Sequence, residues 1–85
     1  MSTTTTQDAA EAVRVGATLR ALREARGIKL GEFATKLRIS YAYLSNIEAG
    51  RKRLTPPLVA KAADLLDVRP IALVRPDQFG PEASQ

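Results

Sequence analysis

Apolar residues recur at helical spacing along most of this chain, and that pattern most narrowly limits its fold. Val15, Leu19 and Leu22 lie at positions i, i+4 and i+7, which places them on one face of a helix. No segment alternates polar and apolar residues for long enough to indicate a strand. The pattern therefore predicts an all-α fold without a sheet.

Residues that typically begin or end helices divide the pattern into five predicted helices. Gly27 is suited to close the first, because glycine readily adopts the left-handed conformation found at helix C-termini. Ser40 is a good N-cap for the third helix, Tyr41–Ala49, which Gly50 ends. Thr55 is placed to cap the fourth, whose first turn holds two prolines that need no N–H partner. The second helix carries the apolar stripe Leu30, Phe33, Ala34 and Leu37, and the fifth covers Pro70–Val74.

A chain of 85 residues has room for one compact core. We expect the domain to cover residues 13–75, between flexible tails at 1–12 and 76–85. The first tail opens on a polar, low-complexity segment, and the last combines proline, glycine and acidic residues. Neither a signal peptide nor an apolar run of membrane-spanning length is found, so we expect a soluble, cytoplasmic protein.

The chain contains neither cysteine nor histidine. The missing cysteines exclude disulfides, thiolate nucleophiles and sulfur-based zinc sites. The missing histidines remove the commonest general base and metal ligand. We therefore expect no enzyme activity, no cofactor, no metal and no small-molecule substrate.

Positive charge is concentrated in the middle of the sequence. All 13 lysines and arginines lie between Arg14 and Arg75, and residues 13–76 contain these 13 basic residues against 5 acidic ones, a net charge of +8. A surface of that sign attracts polyanions, with nucleic acid as the first candidate. An anionic membrane ranks below it, because no hydrophobic stretch suited to an anchor lies beside the basic residues. A basic surface that is merely well solvated is the alternative.

Three short motifs precede the basic loop Arg51–Leu54. They are the run Leu22–Glu24, the pair Phe33-Ala34 and the Ser-x-Ile-Glu-x-Gly string at Ser45–Gly50. With this combination, residues 15–74 resemble the Cro/C1-type (XRE) helix-turn-helix family. The resemblance implies a compact five-helix bundle of the lambda-repressor-like type that binds double-stranded DNA, with its third helix in the major groove. It also implies a homodimer on paired half-sites.

The third helix has an outward face suited to DNA bases. Helical periodicity turns Leu44 and Ile47 toward the core and leaves outward a small, mostly uncharged set, Tyr41, Ala42, Ser45 and Asn46. We predict that Asn46 bridges N6 and N7 of an adenine and that Ala42 touches a thymine methyl group. Ser45 would discriminate poorly, and Tyr41 would meet either a thymine methyl group or a phosphate. An ordinary solvated helix face is the alternative.

Phosphate contacts are expected from the loop after the third helix and from the start of the motif. The predicted phosphate-binding residues are Lys29, Arg38, Tyr43, Arg51, Lys52 and Arg53. The family commonly has a small capping residue at the first of these positions and glutamine at the next, where this chain has Leu30. Arg38 stands where the family often has glycine, and a left-handed backbone there would be strained. The ring of Tyr43 is expected to pack toward the second helix, with its hydroxyl meeting water or a phosphate.

Arg23 and Glu48 occupy positions that pair across the first and third helices in the resembling family. The resemblance therefore implies a partly buried ion pair with a structural role, holding the third helix at its angle. Removing one partner of such a pair leaves the other charge buried.

Two functions remain open at this stage. The first is a sequence-specific transcriptional regulator that reads a palindromic operator as a homodimer. Its dimer contacts would come from apolar residues left partly exposed near the end of the domain, namely Leu58, Val68, Ile71 and Val74. The second is a protein-interaction module of the same fold, an antitoxin or co-regulator acting through a protein partner.

Overall fold

Four α-helices and one short 3-10 helix make up the part of the chain that the structure describes. The computed structural model describes the backbone of residues 2–74 and the side chains from residue 9 onward. The elements are α1 (Ser2–Ala25), α2 (Leu30–Leu37), α3 (Tyr41–Glu48), α4 (Pro56–Leu66) and the 3-10 helix Pro70–Ala72. No strand occurs among these residues, which confirms the all-α prediction.

The predicted fifth helix, Pro70–Val74, is a single 3-10 turn over Pro70–Ala72. The amides of Leu73 and Val74 both donate to the Pro70 carbonyl, at 2.9 and 3.0 Å. One isolated turn fixes several backbone dihedrals for very few hydrogen bonds, so a segment this short does not grow into an α-helix. The prediction of five helices was therefore wrong, and the described bundle has four.

Helix α1 begins at Ser2, well before the predicted domain boundary at residue 13. Alanine, the best helix former, is frequent just ahead of that boundary. In the same region Arg14 and Glu11 form an ion pair at 2.6 Å with i,i+3 spacing. Residues 2–12 thus continue the first helix, while the flexibility assigned to them stays a prediction. The tail predicted at 76–85 lies outside the described residues.

The ends of the helices largely follow their local sequence signals. Gly27 has a φ of +70°, and the amide of Ile28 donates back to the Arg23 carbonyl, so the predicted C-cap is confirmed. The Ser40 hydroxyl accepts a hydrogen bond from the Tyr43 amide at 3.0 Å, as expected of an N-cap. Thr55 occupies the N-cap of α4, but its side chain makes no capping bond. The start of α4 therefore depends on its two prolines, whose φ angles already suit a helix.

One aliphatic core joins all four helices and the 3-10 turn. Helix α3 packs against both α1 and α2, and α4 packs against α2. Leu44 and Ile47 are fully buried, as predicted, whereas Val74 is only 3% exposed and is therefore not available as a dimer contact. The remaining buried apolar residues are Val15, Leu19, Phe33, Ala34, Leu37, Leu54, Val59, Ala62, Ala63, Leu66 and Leu73.

Helices α1 and α3 approach most closely at Gly16, which the sequence analysis did not single out. A Cβ atom added to Gly16 would lie 2.7 Å from the Glu48 carbonyl oxygen and 2.9 Å from its carbon. Such distances are shorter than packed atoms allow. Only glycine lets the backbone of α3 lie this close to α1.

Two arginines, Arg14 in α1 and Arg26 directly after it, connect that helix to the end of the domain. Arg26 donates through Nε to the Leu66 carbonyl at the C-terminus of α4. Arg14 donates to the Leu73 carbonyl at 3.4 Å. Both contacts satisfy carbonyl groups near the end of a helix or turn, where a cation is favourable. The long first helix is thus tied to α4 and to the 3-10 turn.

Candidate nucleic-acid interface

The two helices of the predicted motif, α2 and α3, are joined by a tight turn with a left-handed residue. Arg38 has φ 61° and ψ 42°, and its amide donates to the Thr35 carbonyl. The next amide, that of Ile39, donates to the Ala34 carbonyl at 3.0 Å. This geometry reverses the chain within three residues, and it costs a residue other than glycine about 1–2 kcal/mol.

Helix α3 presents the predicted outward face. Tyr41 is 62% exposed and Ala42 is exposed, while Ser45 and Asn46 are half-buried. Leu44 and Ile47, on the opposite side of the helix, are both buried in the core. The four predicted base-reading residues therefore lie on the side of α3 that is not used for packing.

Asn46 makes a side-chain contact that the sequence analysis missed. Its Oδ1 accepts a hydrogen bond from Nε of Arg51 at 2.8 Å. Its main-chain carbonyl also accepts from the amides of Arg51 and Lys52, at 2.9 and 3.2 Å. Gly50, with a φ of +85°, turns the chain back over the end of α3 and makes these contacts available.

The predicted phosphate-binding cations lie at both ends of the motif. Lys29 precedes α2, Arg38 lies in the turn, and three further cations follow α3; all five are exposed. Lys29 makes no side-chain capping bond, as its chemistry leads one to expect. The three cations that follow α3 are Arg51, Lys52 and Arg53.

Two further residues of the motif that the sequence analysis discussed, Tyr43 and Leu30, pack inward. Tyr43 is half-buried and packs against the core, and contact of its hydroxyl with a phosphate stays a prediction. Leu30, at the position where the resembling family has glutamine, also packs against the core. The start of α2 therefore supplies an aliphatic contact and one cation, Lys29, rather than a polar amide.

Arg23 and Glu48 form the predicted pair across α1 and α3. Nε and Nη2 of Arg23 donate to the two carboxylate oxygens at 2.7 and 3.0 Å. The two side chains are 8% and 6% exposed, and Nη1 of Arg23 donates to the Ile28 carbonyl at 2.7 Å. The hydrogen bond from Glu48 raises the pKa of Arg23 above its ordinary value, because it favours the charged guanidinium. The contacts hold α3 and the segment before α2 against α1.

An open cleft of about 250 Å³ adjoins this pair. It lies between α1 and the motif helices, and its lining residues are Arg20, Arg23, Leu30, Ser45, Glu48 and Ala49. Within the described chain, no group of three or more acidic residues is arranged to hold a metal ion. The polar part of the lining consists of two arginines, a serine and the paired Glu48 carboxylate.

Comparison with known proteins identifies this architecture. The profile of the helix-turn-helix domain family matches residues 14–76. The structure is similar to that of the clp gene regulator ClgR from Corynebacterium glutamicum, at 33% identity and a TM-score of 0.70, over 74% of this chain and 82% of that one. It is also similar to the restriction–modification controller protein C.AhdI from Aeromonas hydrophila, at 30% identity and a TM-score of 0.71, over 75% of this chain and 97% of that one.

Two further findings accompany these similarities. Among curated protein sequences, none matches the chain. None of the helices that the structure describes is long and apolar enough to cross a membrane.

The family match covers most of the chain and agrees with the resemblance to Cro/C1-type (XRE) proteins. The chain therefore belongs to the helix-turn-helix domain family.

Proposed function

We propose that this chain is a sequence-specific regulator that binds a palindromic DNA operator as a homodimer and reads it through α3. The general class of function, DNA-binding transcription regulation, follows from membership of the helix-turn-helix family and from the regulators among the similar structures. The operator, the read-out by individual residues and the dimer are the specific parts of the proposal.

The separation of the two sides of α3 is the observation that carries it. Leu44 and Ile47 lie in the core, while Tyr41 and Ala42 are exposed. An α-helix fits the major groove of B-form DNA, where every base pair presents a distinct pattern of donors, acceptors and methyl groups. Small and uncharged side chains allow the helix to approach those base edges closely.

The cations fit the second requirement, which is to fix the helix on the DNA backbone. Lys29 and Arg38 flank α2, and Arg51 and Lys52 follow α3. Contacts to phosphates set the register of a protein on a duplex, whereas contacts to bases give specificity. We propose that these cations bind phosphates on either side of the groove, with Arg53 on the same loop as a further phosphate contact.

We place the dimer contact at the end of the domain. Leu58 and Val68 are half-buried, and Ile71 is 60% exposed. These three residues remain candidates, whereas Val74 belongs to the core. Pairing across a twofold axis would set the two α3 helices about 34 Å apart, which matches one turn of DNA and a palindromic operator.

A protein-interaction module is the second candidate, favoured by the start of α2. Leu30 offers no polar contact to a phosphate at the position where the resembling family has glutamine. Leu30 packs against the core but is only half-buried, and the part of its aliphatic side chain that stays exposed suits a protein surface better than it suits a DNA backbone. A co-regulator or an antitoxin would use the motif in that way.

Selection of binding sites from a random duplex library, at stated salt concentrations, separates the two candidates. The proposal expects an enriched palindrome, with affinity falling by a log–log slope of about 0.9 for each phosphate neutralised. Lys52→Ala should lower that slope by about 1, whereas the matched change Lys61→Ala, on α4 outside the motif, should leave it unchanged. Enrichment of no sequence would favour the protein partner.

Sedimentation equilibrium tests the dimer. We expect Ile71→Thr to weaken self-association and Val13→Thr, the same type of change at an exposed apolar residue of α1, to leave it intact. A protein that stays monomeric at high concentration, both free and bound to its operator, would contradict this part of the proposal.

A further inference from the structure

The hydrogen bond between Arg51 and Asn46 bears on which base the proposed reading helix recognises. Arg51 Nε lies 2.8 Å from Asn46 Oδ1, on the exposed side of the end of α3. The Arg51 amide also donates to the Asn46 carbonyl, at 2.9 Å. Arg51 is therefore held to Asn46 by its main chain as well as by its side chain.

The chemistry of the two groups fixes the orientation of the amide. An arginine guanidinium has only hydrogen-bond donors, so the part of the Asn46 amide that faces it must be the oxygen. The Asn46 nitrogen Nδ2, with its two N–H groups, then points away from Arg51. Asn46 thus presents both N–H groups toward the surroundings of α3, while one of the two lone pairs of Oδ1 is taken by a positively charged group.

We propose that Arg51 orients Asn46 as a donor and that Asn46 therefore selects guanine. This inference rests on the proposed function, because it assumes that α3 lies in the major groove. An asparagine that bridges adenine must use Oδ1 for the N6 amino group and Nδ2 for N7. Arg51 takes one of the two lone pairs of Oδ1 and places a positive charge beside the other, which disfavours the approach of the N6 amino group, itself a donor.

Guanine suits the remaining donors best. Its edge in the major groove presents two acceptors, N7 and O6, whereas adenine and cytosine each present an amino donor and thymine presents a single acceptor beside a methyl group. Arg51 is then a positioning residue and Asn46 the residue that touches the base. The adenine contact expected from the sequence is replaced by a guanine contact.

Site selection with wild-type protein and with Asn46→Ala identifies the base pair concerned. It is the pair whose preference disappears in the variant. We expect the wild type to prefer guanine over adenine there by about tenfold, the size usual for a good contact to a base edge. Preference for adenine at that pair would overturn the inference.

Substitution of Arg51 gives the sharper test, because it changes the preference rather than only the affinity. Arg51→Ala frees Oδ1, so the preference at the same pair should move from guanine toward adenine. Lys52→Ala, the neighbouring cation in the same loop, is the matched control and should lower affinity for all sequences without moving the preference. An Arg51→Ala variant that keeps the guanine preference would overturn the role of Arg51.

Asn46→Asp supplies an independent check. The carboxylate keeps an acceptor for Arg51 but has no N–H group, so guanine preference should be lost even though the contact with Arg51 remains. Thermal melting verifies that each variant is folded. If Arg51→Ala does not fold, Asn46→Asp still tests the inference. If wild-type protein enriches no duplex sequence, the proposed function fails and this inference fails with it, whereas an enriched site with adenine at this pair overturns the inference alone.

Discussion

The Glu48 carboxylate accepts a hydrogen bond at each of its two oxygens from a different nitrogen of Arg23. The third guanidinium nitrogen of Arg23 donates to the carbonyl of Ile28, just before α2. One side chain of α1 is therefore bonded to both ends of the helix-turn-helix motif. The orientation of α3 relative to α1 and α2 depends on this contact.

Glu48→Ala should lower the free energy of unfolding by about 3–5 kcal/mol, because it leaves the buried Arg23 charge without its partner. Urea denaturation followed by circular dichroism measures the change. Glu24→Ala removes the other carboxylate near Arg23, which is exposed and 3.9 Å from Nη2, and should cost no more than about 1 kcal/mol. Equal effects of the two changes would show that burial does not matter to the pair.

The contribution of the pair should not change between pH 7 and pH 9. The pKa of Arg23 is raised, so its stabilisation is fully present below the pKa of an unfolded arginine and is lost only as the pH rises through the still higher folded value. Both values lie far above pH 9. The stability difference between wild type and Glu48→Ala, measured at the two pH values, should therefore agree. A difference that shrinks by pH 9 would contradict this assignment.

Gly16→Ala should destabilise the fold by about 1–3 kcal/mol, because its methyl group would collide with the backbone of α3. Gly31→Ala is the matched control, since a Cβ there meets only the Tyr41 ring, at 3.8 Å. That second change should be neutral or stabilising by up to about 1 kcal/mol, through the better helix propensity of alanine. Thermal melting of both variants checks the contrast, and a stable Gly16→Ala protein would argue against the close approach.

Arg38→Gly should stabilise the protein by up to about 1 kcal/mol, because glycine adopts the left-handed conformation without strain. Under the proposed function it should also weaken DNA binding, since one cation is lost. Asp67→Gly relieves the same strain at the end of α4 and should leave the salt dependence of binding unchanged. Calorimetry and titration of an operator duplex measure the two effects. A lower melting temperature for Arg38→Gly would count against the strain.

Arg26→Ala should lower the free energy of unfolding by about 1–2 kcal/mol, because the Leu66 carbonyl loses a charged donor at the end of α4. Arg20→Ala, which removes an exposed arginine paired with Glu24, should have a smaller effect. Denaturant midpoints of the two variants give the comparison. Identical midpoints would mean that the contact to α4 adds nothing.

Features governed by a few neighbouring residues were predictable from the sequence. The hydroxyl of Ser40 and the left-handed Gly27 lie where their local patterns indicate. The inward and outward sides of α3 also follow from periodicity, because Leu44 and Ile47 are three residues apart. In each case the determining interaction lies within one turn of a helix.

Contacts between distant segments escaped the sequence analysis. Arg26 and Leu66 are 40 residues apart, and the sequence around neither residue indicates their hydrogen bond. Gly16 did leave a signal, since a glycine inside a helical pattern costs stability and often marks a close packing contact. The bond of Asn46 to Arg51 required the positive φ of Gly50 to be combined with side-chain geometry. The fifth helix was overcounted because a helical spacing over so few residues does not distinguish an α-helix from a single 3-10 turn.

Tyr41 and Ala42 are exposed on α3 while Leu44 is buried, and this difference has a consequence for how such a protein diversifies. Exposed side chains outside the core are exchanged at little cost in stability. Under the proposed function, single substitutions there would give new recognition sequences, with the buried residues of α3 as an unchanged support. A library restricted to positions 41 and 42 would then sample new operators while most of its members stay folded.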